Sequence, residues 1–173
     1  MNLKSKKNNN WGVLMDIFKI PSMKHEEYDK LISKNHISRI AFTGDNYPYI
    51  APFMYVFNEE KKVLYFLSTK YGKKIELFNK NPNVAVEIEK YDDDMSNYKF
   101  ITLQGKLMVV KSESEQNKVI KSFINMIQNK LSGKALAALG YSPDESPESL
   151  LNEKKALLWK LIDVKKIVAL KNP

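Results

Sequence analysis

Short runs of β-branched and aromatic residues, each closed by a polar turn, fill the middle of the chain. Ile37–Thr43 is the first run, and Gly44-Asp45-Asn46 turns it into a second, Tyr47–Phe57. Asn58-Glu59-Glu60-Lys61 makes the next turn, and Lys62–Leu67 returns as a third strand. Val84–Glu89 alternates Val84, Val86 and Ile88 with Ala85, Glu87 and Glu89, the period of a half-buried strand. After an acidic loop at Tyr91–Asn97, Tyr98–Val110 forms a long strand with Gly105 inside it. A bulge or a close backbone approach is expected there. Ala156–Leu170 is the last extended element, broken near Asp163.

Helical spacings lie between and around these strands. Trp11, Val13, Leu14, Ile17 and Phe18 mark one stripe over Trp11–Ile20, ended by Pro21. Ser22 is expected to cap a second helix, with Glu26 and Glu27 in its opening turns and an end near Asn35. Tyr28, Leu31 and Ile32 would face the core. Lys73–Asn79 is a short helix, and Val119, Ile120, Phe123, Ile127 and Leu131 define a long one over Glu113–Leu131, stopped by Ser132-Gly133. Ala135–Tyr141 is a short apolar turn or helix, and Ser142-Pro143-Asp144-Glu145 has the cap chemistry to open another. Residues 1–22 stand apart as a tail and short helix, leaving 23–173 as the domain. Six or so strands with helices at their ends predict a mainly β fold, a small closed barrel with peripheral helices.

Composition narrows the class without changing this outline. With 173 residues, 43% hydrophobic and 28% charged, the chain has the size and make-up of one globular domain. The absence of cysteine excludes disulfides and thiolate metal sites. No apolar run approaches a membrane span and the first ten residues lack a signal peptide's apolar stretch, so a cytoplasmic address with no membrane partner is expected. The net charge of +8 invites a nucleic-acid reading. It is discounted, because Arg39 is the only arginine and base-reading sites favour the arginine fork. The aromatics also gather in the Tyr47–Phe57 run instead of alternating with cations on one face, as a basic nucleic-acid-binding barrel would want.

The densest candidate chemistry comes after the third strand. Ser68-Thr69-Lys70-Tyr71-Gly72-Lys73-Lys74 gathers hydroxyls, a flexible glycine and ammonium groups ahead of the helix carrying Ile75, Leu77 and Phe78. A helix start offers unpaired N–H groups and the positive end of a dipole. With Ser68, Thr69, Lys73 and Lys74 added, the anion expected there is a phosphate, held at a solvent-accessible helix start. The bland alternative is an ordinary capped helix with exposed lysines. Pro48 and Pro52 cannot donate to a ladder, which places Ala51-Pro52-Phe53-Met54 at an edge or rim with free backbone groups. His25 and His36 lack ligand spacing, and Asp92-Asp93-Asp94 is taken as a solvated turn, so no metal site and no catalytic acid or base is assigned.

Pro48-Tyr49-Ile50-Ala51-Pro52, the hairpin, then Phe66-Leu67-Ser68-Thr69-Lys70-Tyr71-Gly72-Lys73-Lys74 and Asn81-Pro82-Asn83-Val84 resemble the FMN-binding split barrels related to pyridoxamine 5′-phosphate oxidase. The similar branch is the nitroimidazole-reductase-like one. The resemblance implies a Greek-key-like split β-barrel acting as a homodimeric, FMN-dependent oxidoreductase on a small molecule, with a nicotinamide cofactor as a candidate reductant. It implies that the flavin phosphate is held at Ser68, Thr69, Lys73 and Lys74, and that the ring lies along Ala51, Pro52, Phe53 and Met54. Tyr98 and Trp159 are candidates for the far wall. Two departures stand out. Leu67 occupies the place where relatives of this branch often carry histidine, and Phe100, Ile101 and Leu103 fill a strand where some relatives place polar contacts. A non-enzymatic binder of flavin, deazaflavin or haem on the same barrel is the alternative.

Overall fold

The computed structural model describes residues 20–131, 133–142, 144–151 and 156–172. Six strands occur in chain order: β1 (Ile37–Phe42), β2 (Tyr49–Asn58), β3 (Val63–Thr69), β4 (Asn83–Tyr91), β5 (Tyr98–Val109) and β6 (Ala156–Lys171). Around the barrel they run β1-β2-β3-β6-β5-β4, all antiparallel, and β4 closes the ring on β1. The order β4-β1-β2-β3 is a Greek key. Helix α1 (His25–Lys34) precedes the barrel, α2 (Lys73–Lys80) joins β3 to β4, and α3 (Glu113–Lys130) lies between β5 and β6. The expected mainly β closed barrel is the one the chain forms.

Period-two patterning builds the interior. Val84, Val86 and Ile88 are buried while Ala85, Glu87 and Glu89 are only half-buried. On β1 and β2 the same alternation buries Ile40, Phe42, Phe53 and Tyr55, and the rings of Phe53 and Phe66 meet edge-on at 6.4 Å. A second core lies outside the barrel wall. There α3 sets Ile120, Phe123 and Ile127 on the outer faces of Met54, Tyr65, Leu67 and Leu158. Glu115 pins that helix, accepting from Tyr65 Oη at 2.8 Å and from Lys160 Nζ at 2.8 and 2.9 Å.

The ladders are interrupted at three places, and each leaves an opening in the wall. The β2–β3 ladder runs from Asn58↔Val63 to Met54↔Leu67 and stops, just short of Pro52. At the opposite end β6 leaves β3 after Tyr65↔Lys160 and continues against β5 alone, splitting the wall. Finally, Gln104 faces Lys166 and Lys106 faces Ile162, so Asp163, Val164 and Lys165 stand opposite Gly105 alone. Asp163 takes a left-handed φ of 50° to make this bulge, and a Cβ on Gly105 would fall 2.7 Å from the Ile162 carbonyl oxygen. The break expected near Asp163 and the close approach expected at Gly105 are one feature.

Other expectations need correction. Ser22 does not cap α1. It bridges to Leu170, and the helix starts at His25 with Lys24 as its N-cap, whose N–H donates to Glu27 Oε2 at 2.8 Å. The backbone of the incoming chain is thus held by β6, which delays the helix. Among the described residues no α-helix opens after Ser142. Its carbonyl accepts from Glu145 N in a turn, and a short 3-10 helix comes next at Pro147–Leu151. The segment Ala135–Tyr141 is 3-10 over Gly133–Leu139. The helix expected over Trp11–Ile20 lies outside the described residues except for Ile20, as do Ser132 and Pro143.

Candidate anion site at the turn from strand β3 to helix α2

Strand β3 extends two residues beyond the expected Leu67, so Ser68 and Thr69 are strand residues paired with Leu157 and Ala156. Both are buried, which corrects the expectation of an open helix start. The Ser68 hydroxyl donates to the Thr69 carbonyl at 3.0 Å, and the Thr69 hydroxyl donates to the Tyr71 carbonyl at 3.1 Å. Gly72, at φ 96°, reverses the chain in a conformation that side chains rarely adopt and serves as the N-cap of α2. Ile75 N donates to the Gly72 carbonyl at 2.9 Å, and among the described residues no side chain caps that end, which leaves the N–H groups of Lys73 and Lys74 without an acceptor there.

Lys74 is the side chain aimed back at this turn. Its Nζ lies 2.7 Å from Thr69 Oγ1 and 3.3 Å from the Tyr71 carbonyl oxygen. Both partners are neutral, and among the described residues no carboxylate pairs with it. Loss of hydration holds its ammonium below the usual lysine value. A half-buried cation without a counter-charge, beside a hydroxyl and free helix N–H groups, fits an oxyanion such as a phosphate. Lys73 does not share the site. It turns outward to Glu76 at 3.4 Å and is exposed.

The backbone of β2 faces the same turn. Tyr55 N donates to the His36 carbonyl across the β1 side, so by alternation the peptide groups of Met54 and Pro52 point to the β3 side. Since the β2–β3 ladder ends at Met54↔Leu67, the Pro52 carbonyl projects into the notch above it. This refines the edge-strand expectation. β2 is flanked on both sides within a closed barrel, and only its first half is open toward β3. Pro52 is exposed, whereas Ala51, Phe53 and Met54 are buried.

Tyr98 and Trp159 are not brought to this notch. Trp159 is fully buried inside the barrel, its ring 5.0 Å from that of Phe78 and 5.8 Å from that of Phe53. Among the described residues its indole N–H has no hydrogen-bond partner. Tyr98 opens β5 at the end opposite to Val109, which is the residue paired with Trp159, and its ring lies tilted at 42° to that of Phe100, 5.5 Å away. A separate open cleft of about 610 Å³ runs between the Gly44–Pro48 turn and the Gly105 bulge. Gln104, Lys106 and Lys165 line it, polar groups that a strand pattern conceals and that only the bulge glycine hinted at. Among the described residues no group of His, Asp and Glu side chains could hold a metal ion, and no helix is long and apolar enough to cross a membrane.

Comparison with known proteins places this arrangement. Residues 24–146 match the family described as pyridoxamine 5′-phosphate oxidase. Among solved structures, an FAD-binding protein from Mesorhizobium loti superposes with a TM-score of 0.65 at 17% identity, covering 89% of this chain and 99% of its own. The FAD-binding protein from Mycobacterium smegmatis gives 0.57 at 14% identity, covering 90% and 100%. A candidate 5-nitroimidazole antibiotic resistance protein from Bacteroides thetaiotaomicron gives 0.59 at 17% identity, covering 90% and 91%. A search of curated proteins found no match. These likenesses establish the split-barrel fold.

Proposed function

The chain belongs to the pyridoxamine 5′-phosphate oxidase family, and from that membership we propose that it binds a flavin nucleotide, FMN, and acts as an oxidoreductase on a small molecule. The observation that carries this reading is Lys74, a partly dehydrated cation that among the described residues has only neutral oxygens for company at the start of α2. Lys74 Nζ and the first-turn N–H groups would hold the phosphate, with the Thr69 hydroxyl re-aimed from the Tyr71 carbonyl. The Pro52 carbonyl would orient the polar edge of the ring system. When bound, the flavin supplies the electron transfer, with a nicotinamide cofactor as the electron source. The protein's part is to position it and to exclude water.

The reading includes a homodimer. The outer face of β1 and the first half of β2 is left bare by the helices, with Ile37 50% and Ile50 61% exposed. Apolar positions this open on the outer face of the barrel suit a second copy, which would also complete the flavin's surroundings. The test is optical. FMN, FAD and riboflavin are titrated into the purified protein while the visible flavin bands are followed, with light scattering on the same samples. FMN should bind most tightly and riboflavin most weakly, to a particle of twice the chain mass. Binding of riboflavin as tight as FMN would remove the phosphate site, and no binding of any of the three would end the flavin reading.

A further inference from the structure

Where β6 parts from β3, a second cavity of about 150 Å³ opens, and it shares no residue with the anion site. Helix α1 lies across the gap and contributes Tyr28 and Ile32, one turn apart on the same face. Leu64 of β3, Leu103 of β5, and Leu161 and Ile167 of β6 supply the other walls. The three-residue bulge of β6 adds Val164 at the mouth, where it is 42% exposed and Ile167 45% exposed. These are apolar side chains whose packing partners stop at an empty space. Such a volume, walled mostly by apolar groups with polar atoms only from Tyr28 and the His25, Asp29 and Lys62 side chains, offers a water few hydrogen bonds and forfeits dispersion contacts along its lining.

The polar rim is self-contained. Asp29 Oδ2 accepts from Lys62 Nζ at 2.8 Å and lies 3.4 Å from His25 Nδ1, while Lys62 Nζ also sits 5.7 Å over the Phe57 ring. A charged group entering the cavity would therefore meet apolar walls and a rim whose charges already answer each other. A neutral group would meet neither penalty. The volume matches one ring, and the gap between a helix and a sheet suits a flat one.

We propose that this cavity in the split of the barrel wall is a binding site for a neutral, single-ring aromatic molecule. The site does not depend on the flavin reading, because its residues and its chemistry are separate from the anion site. The Gly105–Asp163 bulge is what holds it open, since closing the register would draw Val164 into the strand and seal the mouth.

The experiment is methyl NMR on the full chain, titrated with benzene, indole and benzoate. Saturable shifts are expected for the methyl groups of Ile32, Leu64, Leu103, Leu161, Val164 and Ile167 with benzene and indole. Benzoate should bind at least about tenfold more weakly, because the one ammonium at the rim, Lys62, is already paired with Asp29 and the benzoate carboxylate would have to be desolvated against apolar walls. Ile167→Trp, which leans an indole over the mouth from a half-exposed position, should abolish the response. Leu64→Phe fills the cavity from inside and should do the same, so one folded variant suffices. Shifts that never saturate, that map elsewhere, or that survive in a folded variant would overturn the proposal, as would equal binding of benzoate.

Discussion

The two halves of strand β2 obey opposite rules. From Met54 to Asn58 the strand is laddered to β3, held on the β1 side at Met54 and by Tyr55 N donating to the His36 carbonyl, packed inward through Tyr55 and covered outside by α3. From Tyr49 to Phe53 it is laddered to β1 alone, bare on its outer face at Ile50 and Pro52, and open toward the β3–α2 turn. The later half is the more saturated: its edge toward β3 and the side chains of Met54 and Tyr55 have their partners within the chain. The earlier half keeps a carbonyl, an apolar surface and, across the notch, the Lys74 cation in reserve. The proposed binding site lies where the same strand is left unfinished.

If that contrast is sound, substitutions in the saturated half should cost stability and those in the open half should cost binding. Phe66→Ala, which empties the interior opposite Tyr55, should have the largest effect, lowering the free energy of unfolding by about 3–5 kcal/mol in urea titrations. A loss under ~1 kcal/mol would mean that the barrel interior is not the stabilising core. Next comes Lys74→Ala. It should weaken FMN by roughly 1.5–3 kcal/mol, leave riboflavin nearly indifferent, and change the ligand-free melting temperature little. An equal loss for both ligands would detach the lysine from the phosphate.

Glu115 tests the saturated half through pH. Hydrogen bonds from Lys160 and then Tyr65 hold its carboxyl below the usual glutamate value of 4.5. A carboxyl depressed in the folded state stabilises at every pH above its unfolded value, and that contribution fades as pH falls through the folded one. Glu115→Gln should therefore cost about 1–2 kcal/mol near neutrality, and should soften the loss of stability below pH 4.5 relative to the parent. Parallel acid profiles for the two proteins would show that the network is not what pins α3. Burial, and then the same contact, push the Tyr65 hydroxyl up to about 12. The smallest effect is expected from Pro52→Ala, under about 1 kcal/mol in stability. It restores an N–H facing β3, so hydrogen exchange should reveal one more protected amide and FMN affinity should drop as the notch closes. An unprotected amide would mean that another constraint, not the proline, ends the ladder.

Sequence alone carried the strands well, because a period of two is enforced by having one wet and one dry face. It also located the Gly105–Asp163 irregularity, since glycine within a strand and a broken apolar run coincide there. It misjudged elements whose ends are set by distant partners. Ser22 has the chemistry of a cap, but bridges to Leu170, across nearly the whole chain. Ser68 and Thr69 look like loop hydroxyls, yet β6 recruits them into the barrel, and no local pattern announces a pairing with Leu157 and Ala156. In the anion site, Thr69 and Lys74 were legible as residue types, while the outward turn of Lys73 toward Glu76 was not. The cleft beside Gln104 and the cavity under α1 arise where strands part, which is a property of pairing and has no local signature.

The ring order places the last strand between the third and the fifth. Until residues 156–171 have been synthesised, β3 and β5 each present an unsatisfied edge, and neither interior nor outer core can be sealed. Barrel assembly is therefore a late event on the path from ribosome to native state, gated by a long-range insertion whose chain-closure entropy falls due all at once. A chain halted before that point would carry two sticky strand edges and be prone to aggregate, a hazard that chaperone capture would relieve.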